Sequence, residues 1–288
     1  MKFDREINAR IQLINTPSNT NYRGEIIIRD LKMSFSVFKS LSWATNKGEL
    51  KIWNIGRDKR NQLGSIGDLV SINAGYRNDG GAQLLFTGNT TEIISTFPTP
   101  EIVTSFILAD GDKTLNNVKI TVSFDENTPV RAVIEHIAEK LGVPIVSTLP
   151  QIDQVYSQGF FQTDLAKNLM DKATKFAGLW WGVQNGNLVF QRANVPNEKV
   201  PREINVYTGM IGTPEPWNDK RNRLYVNTNK QGWTVRTLLT PDILPGDRVK
   251  IKSSKINLDA TCFVETIQHD GDNYSDNFIS TLQVINHE

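Results

Sequence analysis

Short runs of alternating apolar and polar residues recur along most of this chain, the period-two pattern of half-buried β-strands. Ile7 to Leu13 and Glu25 to Leu31 carry the pattern on either side of the turn-rich stretch Asn15 to Asn21. Leu50 to Ile55 repeats it, and so does Leu69 to Tyr76 after the turn Gly67-Asp68. Leu84 to Gly88, Thr91 to Ser95 and Ile102 to Ala109 add three more strands before Asp110-Gly111-Asp112 ends the region. A closed or nearly closed barrel is the natural package for that many short strands.

The period then lengthens. Thr128-Pro129 reads as N-cap and first helical position, Val130, Val133, Ile134, Ile137 and Leu141 follow at helical spacing, and Gly142 is the stop. A second helix is predicted from Thr163 or Asp164 through Leu165, Leu169, Ala173 and Phe176 to Gly178, followed by a hairpin, Leu179 to Arg192, about Asn185-Gly186. The polar, proline-containing stretch Asn194 to Arg202 has the character of a linker. Strands return at Leu224 to Thr228, Trp233 to Leu239, Arg248 to Ser253, Cys262 to His269 and Phe278 to Ile285. The expected fold is mainly β, α+β overall. Two β-barrel domains, 1–112 and 203–288, flank a small α+β insert domain at 113–202.

Gly67-Asp68-Leu69-Val70-Ser71-Ile72 is echoed by Gly246-Asp247-Arg248-Val249-Lys250-Ile251, both of the form Gly-Asp-x-Val-x-Ile. Each is followed downstream by Asp-Gly-Asp, at Asp110 to Asp112 and at Asp270 to Asp272, with different intervening lengths. The echo reads as two related barrels around an insert, or as the chance recurrence of a common turn.

Composition narrows the class. With 288 residues the chain can bury a substantial core; 39% are hydrophobic and 22% charged, with no run near the ~18 apolar residues of a membrane helix. No membrane insertion by this chain is expected. Met1 to Arg10 lacks the apolar core of a signal peptide, and the lone Cys262 has no partner for an internal disulfide, so folding in a reducing cytoplasm is expected. The 32 basic and 31 acidic residues give a net charge of +1, unlike a dedicated nucleic-acid binder.

Catalytic and metal motifs are missing from the sequence. His136, His269 and His287 stand far apart and far from Cys262, without zinc spacing. His269 and Asp270 sit in a polar stretch at a strand end, with no nucleophile motif beside them. A calcium loop starting at Asp270 fails at Tyr274, Ser275 and Thr281, and Asp110 to Thr114 lacks the frame of a phosphate loop. Asp125-Glu126 reads as helix entry. Arg57, Lys59 and Arg60, or Lys220, Arg221 and Arg223, read as solvated loop charges before phosphate contacts, and Trp180-Trp181 as a packed hairpin with one ring facing out. No catalytic residue, metal or cofactor is expected.

The order of segments resembles the baseplate hub family of tailed phages and related contractile particles, whose members join the tail tube to the central spike. In the first barrel the resemblance rests on Phe35 to Lys39, on Asn46 to Ile55, and on Gly67 to Tyr76 followed by Leu85-Phe86-Thr87-Gly88. In the last it rests on Gly209 to Pro214, Leu238 to Gly246 and Gln268 to Asp272. The resemblance implies two tail-tube-like barrels per chain in a homotrimer, giving a pseudo-sixfold ring between the sixfold tube and the threefold spike. It implies a virion protein of the tail baseplate, assembled in the host cytoplasm, with no enzymatic activity of its own. The implied partners are the tail tube protein, the central spike protein, the tape-measure protein and the baseplate wedge proteins, with DNA only in transit through the lumen.

The interface candidates are Trp53, Gly67, Asp68, Gly75, Tyr76, Gly246, Asp247, His269 and Asp270. The contact surfaces expected around them are Ile26 to Leu31, Leu69 to Tyr76, Arg248 to Ser253, Cys262 to His269, and the polar segment Leu31 to Gly48. Two rival readings are a carbohydrate-binding or host-surface adhesion module stacking sugars on Trp180, Trp181, Trp217 and Trp233, and a hydrolase built on His269 with Asp270 or Asp272.

Overall fold

A computed structural model describes residues 4–16, 19–40, 46–64, 66–111, 115, 117–145, 149–192, 200–219 and 230–286. The fold is mainly β. The amino-terminal region contributes seven strands: β1 (Arg5–Thr16), β2 (Asn19–Ile28), β3 (Met33–Ser40), β4 (Lys47–Trp53), β5 (Leu69–Tyr76), β6 (Gly81–Thr96) and β7 (Val103–Ala109). A short helix, α1 (Arg57–Gln62), links β4 to β5. The two runs expected at Leu84 to Gly88 and Thr91 to Ser95 are one long strand, β6.

The middle of the chain forms β8 (Lys119–Phe124), β9 (Thr128–Pro129), α2 (Val130–Leu141), β10 (Val155–Tyr156), β11 (Phe160–Leu165), α3 (Ala166–Phe176), β12 (Leu179–Gln184) and β13 (Asn187–Arg192). The helix α2 buries Val130, Val133, Ile134, Ile137 and Leu141 along one stripe and ends at Gly142, whose φ of 67° satisfies the left-handed cap. Pro129 stands just before the helix, in β9. The helix α3 starts at Ala166, later than the sequence suggests, because Phe160 to Leu165 pair with β8 in antiparallel register. Asn185 and Gly186, with φ of 52° and 78°, turn the β12–β13 hairpin as expected.

The last region holds β14 (Arg202–Ile204), β15 (Met210–Asp219), β16 (Lys230–Leu238), β17 (Arg248–Ser253), β18 (Leu258–Asp272) and β19 (Phe278–Asn286). The strand expected at Leu224 to Thr228 lies outside the described residues, as do most of the Asn194 to Arg202 linker, Lys220, Arg221, Arg223, Asp112 and His287.

Thirteen strands share one sheet, in the path β15-β16-β19-β18-β3-β4-β7-β6-β5-β1-β2, with β17 beside β18 and β14 beside β17. No closed barrel forms: the path is open from β15 to β2 among the described residues. The two regions expected to be separate barrels are instead continuous, because β18 is long enough to pair with β17 along Leu258 to Phe263 and with β3 along Thr266 to Asp272. The segment Leu31 to Gly48, expected as a polar contact surface, contains the strand at the centre of this junction, while its residues 41–45 lie outside the described residues.

Among the described residues, three clusters of buried apolar side chains hold the molecule together. One lies under β1 to β7 and also takes Leu239 and Phe278, one lies within the middle region around α2 and α3, and one lies between β14 and β19. Each fully buried Ile, Leu or Phe in them stabilises the fold by about 1.5–3 kcal/mol.

Candidate functional site

The two Gly-Asp turns have the same geometry. Gly67 has a φ of 99° and Gly246 a φ of 96°, a region glycine enters without a Cβ clash. The Gly67 N–H donates to the Thr90 carbonyl (2.7 Å) and the Thr90 N–H donates to the Asp68 carbonyl (2.8 Å). In the last region the Gly246 N–H donates to the Val264 carbonyl (2.8 Å) and the Val264 N–H to the Asp247 carbonyl (3.0 Å). Both aspartates are buried; the Thr90 hydroxyl also donates to the Asp68 carbonyl (2.9 Å), and the Asp247 carboxylate accepts the Leu244 N–H (3.0 Å).

From these turns outward the two regions follow one plan. The order β3-β4-β7-β6-β5 in the first matches β15-β16-β19-β18-β17 in the last: first strand, second, fifth, fourth, third. Even the irregularities agree, since β6 bulges at Thr91 against β7 and β18 bulges at Glu265 against β19, each one residue past the hydrogen bonds to the Gly-Asp turn. The Asp-Gly-Asp echo does not belong to this repeat. Asp110 follows β7, whereas Asp270 to Asp272 end β18, the counterpart of β6.

The repeats meet where β18 pairs antiparallel with β3, His269 opposite Val37 and Asp270 opposite Ser36. Neighbouring residues of a strand face opposite ways, so His269 and Asp270 are on different faces. Outside, the Ser36 hydroxyl donates to the Asp270 carboxylate (2.8 Å), and the Gln268 amide donates to both Ser36 (2.8 Å) and Asp270 (3.0 Å). Inside, His269 is fully buried with Nδ1 2.8 Å from the Ser280 hydroxyl, which accepts the Thr240 N–H (3.0 Å). Burial and the nearby Lys39 ammonium hold the imidazole pKa well below its usual range. Separation of His269 from Asp270 and Asp272 by parity or by strand end leaves no acid-base pair, and its immersion in the core makes it a packing residue.

Gly271 fits against Phe35 because a Cβ there would lie 2.3 Å from the ring. Phe35 and Phe278 meet edge to face, as do Tyr76 and Phe278, and the Tyr76 hydroxyl donates to the Phe278 carbonyl (3.2 Å). Gly75 is buried beside Tyr76, in a place where a Cβ would come 2.1 Å from the Gly81 carbonyl oxygen. Trp53 is half-buried, its ring under the Lys32 ammonium at 4.5 Å.

A polar junction fastens the middle region to the sheet. Asp110 accepts the Asn185 N–H (2.6 Å) and the Gly186 N–H (2.9 Å), clamping the β12–β13 turn. Asn46 donates to the Val183 carbonyl (2.9 Å) and accepts the Ser40 N–H (2.9 Å), and Gln184 donates to the Ser40 carbonyl (2.9 Å). Burial pushes the Asp110 carboxyl up to about 6 against the pull of those turn N–H groups and of Lys39. Lys39 is fully buried, its Nζ without a hydrogen-bond partner among the described residues, and burial pushes it down to about 8 against the attraction of Asp110.

The four tryptophans named above take different environments. Trp181 is buried and donates to Asp171 (2.5 Å), Trp180 and Trp217 are half-buried, and Trp233 packs against the last core cluster opposite Pro216. No group of three His, Cys, Asp or Glu side chains is placed to hold a metal ion among the described residues. No helix among the described residues is long and apolar enough to cross a membrane. What the geometry offers is a duplicated set of strands whose outer edges have no neighbouring strand among the described residues.

A family model described as Baseplate hub gp41 matches residues 67–284, well over half of the chain. The chain belongs to the baseplate hub gp41 family. That family gives it a structural role in the phage tail, at the baseplate. Comparison with curated protein sequences found no match. Among solved structures the fold is similar to the 43 kDa tail protein of prophage MuSo2 from Shewanella oneidensis, at 12% identity, 98% of each chain covered and a TM-score of 0.69. It is also similar to the tail protein from Neisseria meningitidis MC58, at 10% identity, 98% and 97% covered and a TM-score of 0.69. A third similar structure is the c3393 protein of E. coli, a component of the type VI secretion system, at 10% identity, 89% and 74% covered and a TM-score of 0.63. At these identities the likeness is one of fold, and it spans nearly the whole length of both tail proteins.

Proposed function

We propose that this baseplate hub protein is a non-enzymatic symmetry adaptor, a homotrimer in which three chains set six similar strand units in a ring between tail tube and central spike. The observation that carries the reading is the repeat itself, with five strands in one order, equivalent Gly-Asp turns and equivalent bulges in both halves of the chain. Two such units per chain present nearly equivalent edges at sixfold spacing from a threefold assembly, so a hexameric tube can dock on three copies. The units are 1–112 and 203–288, and 113–202 is the insert bolted to the ring through Asp110 and Asn46.

The sheet of one chain is open, and in this reading it closes only across three copies, which removes its exposed edges. Trp53, Tyr76 and Asp270 belong to the ring walls, and the buried residues Gly67, Asp68, Gly75, Gly246, Asp247 and His269 hold the edge strands in register. Tape-measure protein and DNA pass through the lumen, wedge proteins bind outside, and assembly takes place in the host cytoplasm. Light scattering over a concentration series tests the core of this. A discrete trimer is expected, and a particle that stays monomeric into the tens of micromolar overturns the self-assembling ring.

A further inference from the structure

The repeat pairs one edge of the second unit with the first unit inside the chain, and leaves the corresponding two edges unpaired among the described residues. In β18 the segment beyond the Glu265 bulge, Thr266 to Asp272, pairs with β3. Its counterpart in β6 is Glu92 to Thr96, beyond the Thr91 bulge. This segment pairs with β7 on one side and has no strand on the other among the described residues. The counterpart of β3 is β15, which among the described residues pairs only with β16. The two open edges are seven strands apart along the sheet path of one chain.

We infer that the β6 edge of one copy of this chain pairs antiparallel with the β15 edge of the next, in the register that β18 and β3 display internally. The register follows from the repeat. Thr90 and Val264 are equivalent at the turns, which makes Leu108 equivalent to Val284 across the sheet, then Gly48 to Trp233, and Val37 to Pro216. Carrying the β18–β3 pairs across gives Ile93 opposite Asn218, Ile94 opposite Trp217, Ser95 opposite Pro216 and Thr96 opposite Glu215.

Burial supports this pairing. Along β18 the positions 266 to 270 alternate between half-buried and buried, while 92 to 96 keep the same alternation one step more exposed throughout, with Ile94 at 45%. Glu215 and Pro216 are exposed where Ser36 and Val37, covered by β18, are half-buried and buried. Pro214 and Pro216 mark β15 as an edge strand and blunt it against indiscriminate pairing. Glu92 and Asp219, next in register, carry like charges and end the ladder. The remaining edges among the described residues are β2 and β14; β2 has no counterpart in the second unit and β14 lies beside β17 where β1 lies beside β5, so the repeat assigns neither a place in this seam. A head-to-tail contact of this kind repeated by a threefold axis closes a ring.

This inference deepens the proposed trimer, and the test separates the two. Facing residues of an antiparallel pair are near disulfide distance. A chain carrying Ile94→Cys and Trp217→Cys should oxidise to covalent dimers and trimers and no larger species, the native Cys262 being buried. Mixing the Ile94→Cys chain with the Trp217→Cys chain should yield a cross-linked dimer that neither forms alone. A Phe38→Cys, Gln268→Cys chain, which bridges the internal seam, should close within one chain and confirms that the geometry permits the bond. A trimer in light scattering without the Ile94 to Trp217 cross-link overturns this register and leaves the hub reading standing. An absence of trimer overturns both, and an open ladder of ever larger species overturns ring closure.

Discussion

Lys39 shows what a single residue can hide. The sequence Met-Ser-Phe-Ser-Val-Phe-Lys-Ser alternates as a strand should, yet a lysine at the inward position makes the run read as polar surface. Its burial has a consequence for pH. Folding favours neutral Lys39, so its contribution to stability is present above its ordinary 10.5 and is lost as pH falls through about 8. Folding also favours protonated Asp110, whose contribution is present below its ordinary 3.8 and is lost as pH rises through about 6. Buried His269 works against Asp110 below its ordinary 6.5, and Cys262, pushed up to about 11 by burial, works against Lys39 above its ordinary 9.0, so the expected signature is a rise in stability from about pH 8 to 9, at most about 1.4 kcal/mol per pH unit. Urea unfolding from pH 4 to 10 checks it. The Lys39→Met variant should lose the rise between about pH 8 and 9, and an unchanged rise would assign it to another group.

At the scale of elements, the two longer helices and the hairpin were legible because their signals are local, whereas α1, a helix of six polar residues with no buried side chain, was read as a charged loop. Periodicity placed α2, Gly142 stopped it, and Asn185-Gly186 marked the turn. The start of α3 was not legible, because Phe160 to Leu165 are held as a strand by partners some forty residues earlier. β3 and β15 escaped for different reasons, the first through Lys39, the second through Pro214 and Pro216, which argue against a central strand and are tolerated here on an edge. The Gly-Asp turns, by contrast, were visible as a six-residue echo, and the structure gives that echo its physical content. Gly67→Ala and Gly246→Ala should each cost about 1 kcal/mol or more, and by similar amounts, since both place a Cβ at a φ near 100°. Comparison of their urea midpoints checks this; unequal costs would mean that the two turns are not equivalent.

For the whole molecule, near-neutral charge and the open thirteen-stranded sheet set the terms of assembly. Edges of β6 and β15 with few charges between them can approach without strong repulsion, except where Glu92 comes opposite Asp219. Glu92→Gln should therefore shift the monomer–trimer equilibrium towards trimer several-fold at low salt, an effect that fades above about 0.15 M salt. Sedimentation at two salt concentrations would read it, and a weaker trimer would place Glu92 in a favourable contact instead.

By itself the sequence determined the β-rich class, the helices and hairpin of the middle stretch between two β-rich regions, the paired Gly-Asp turns and the resemblance to baseplate hubs. All of these depend on residues close together in the chain: alternation, helical spacing, caps and turn glycines. Only the tertiary structure decided that the two β regions share one sheet, that β18 serves both, that β3 lies at its centre, and that Asp110 clamps the insert. Those are pairings between residues up to some 240 positions apart, and strand alternation says which face a residue takes but not which strand lies beside it.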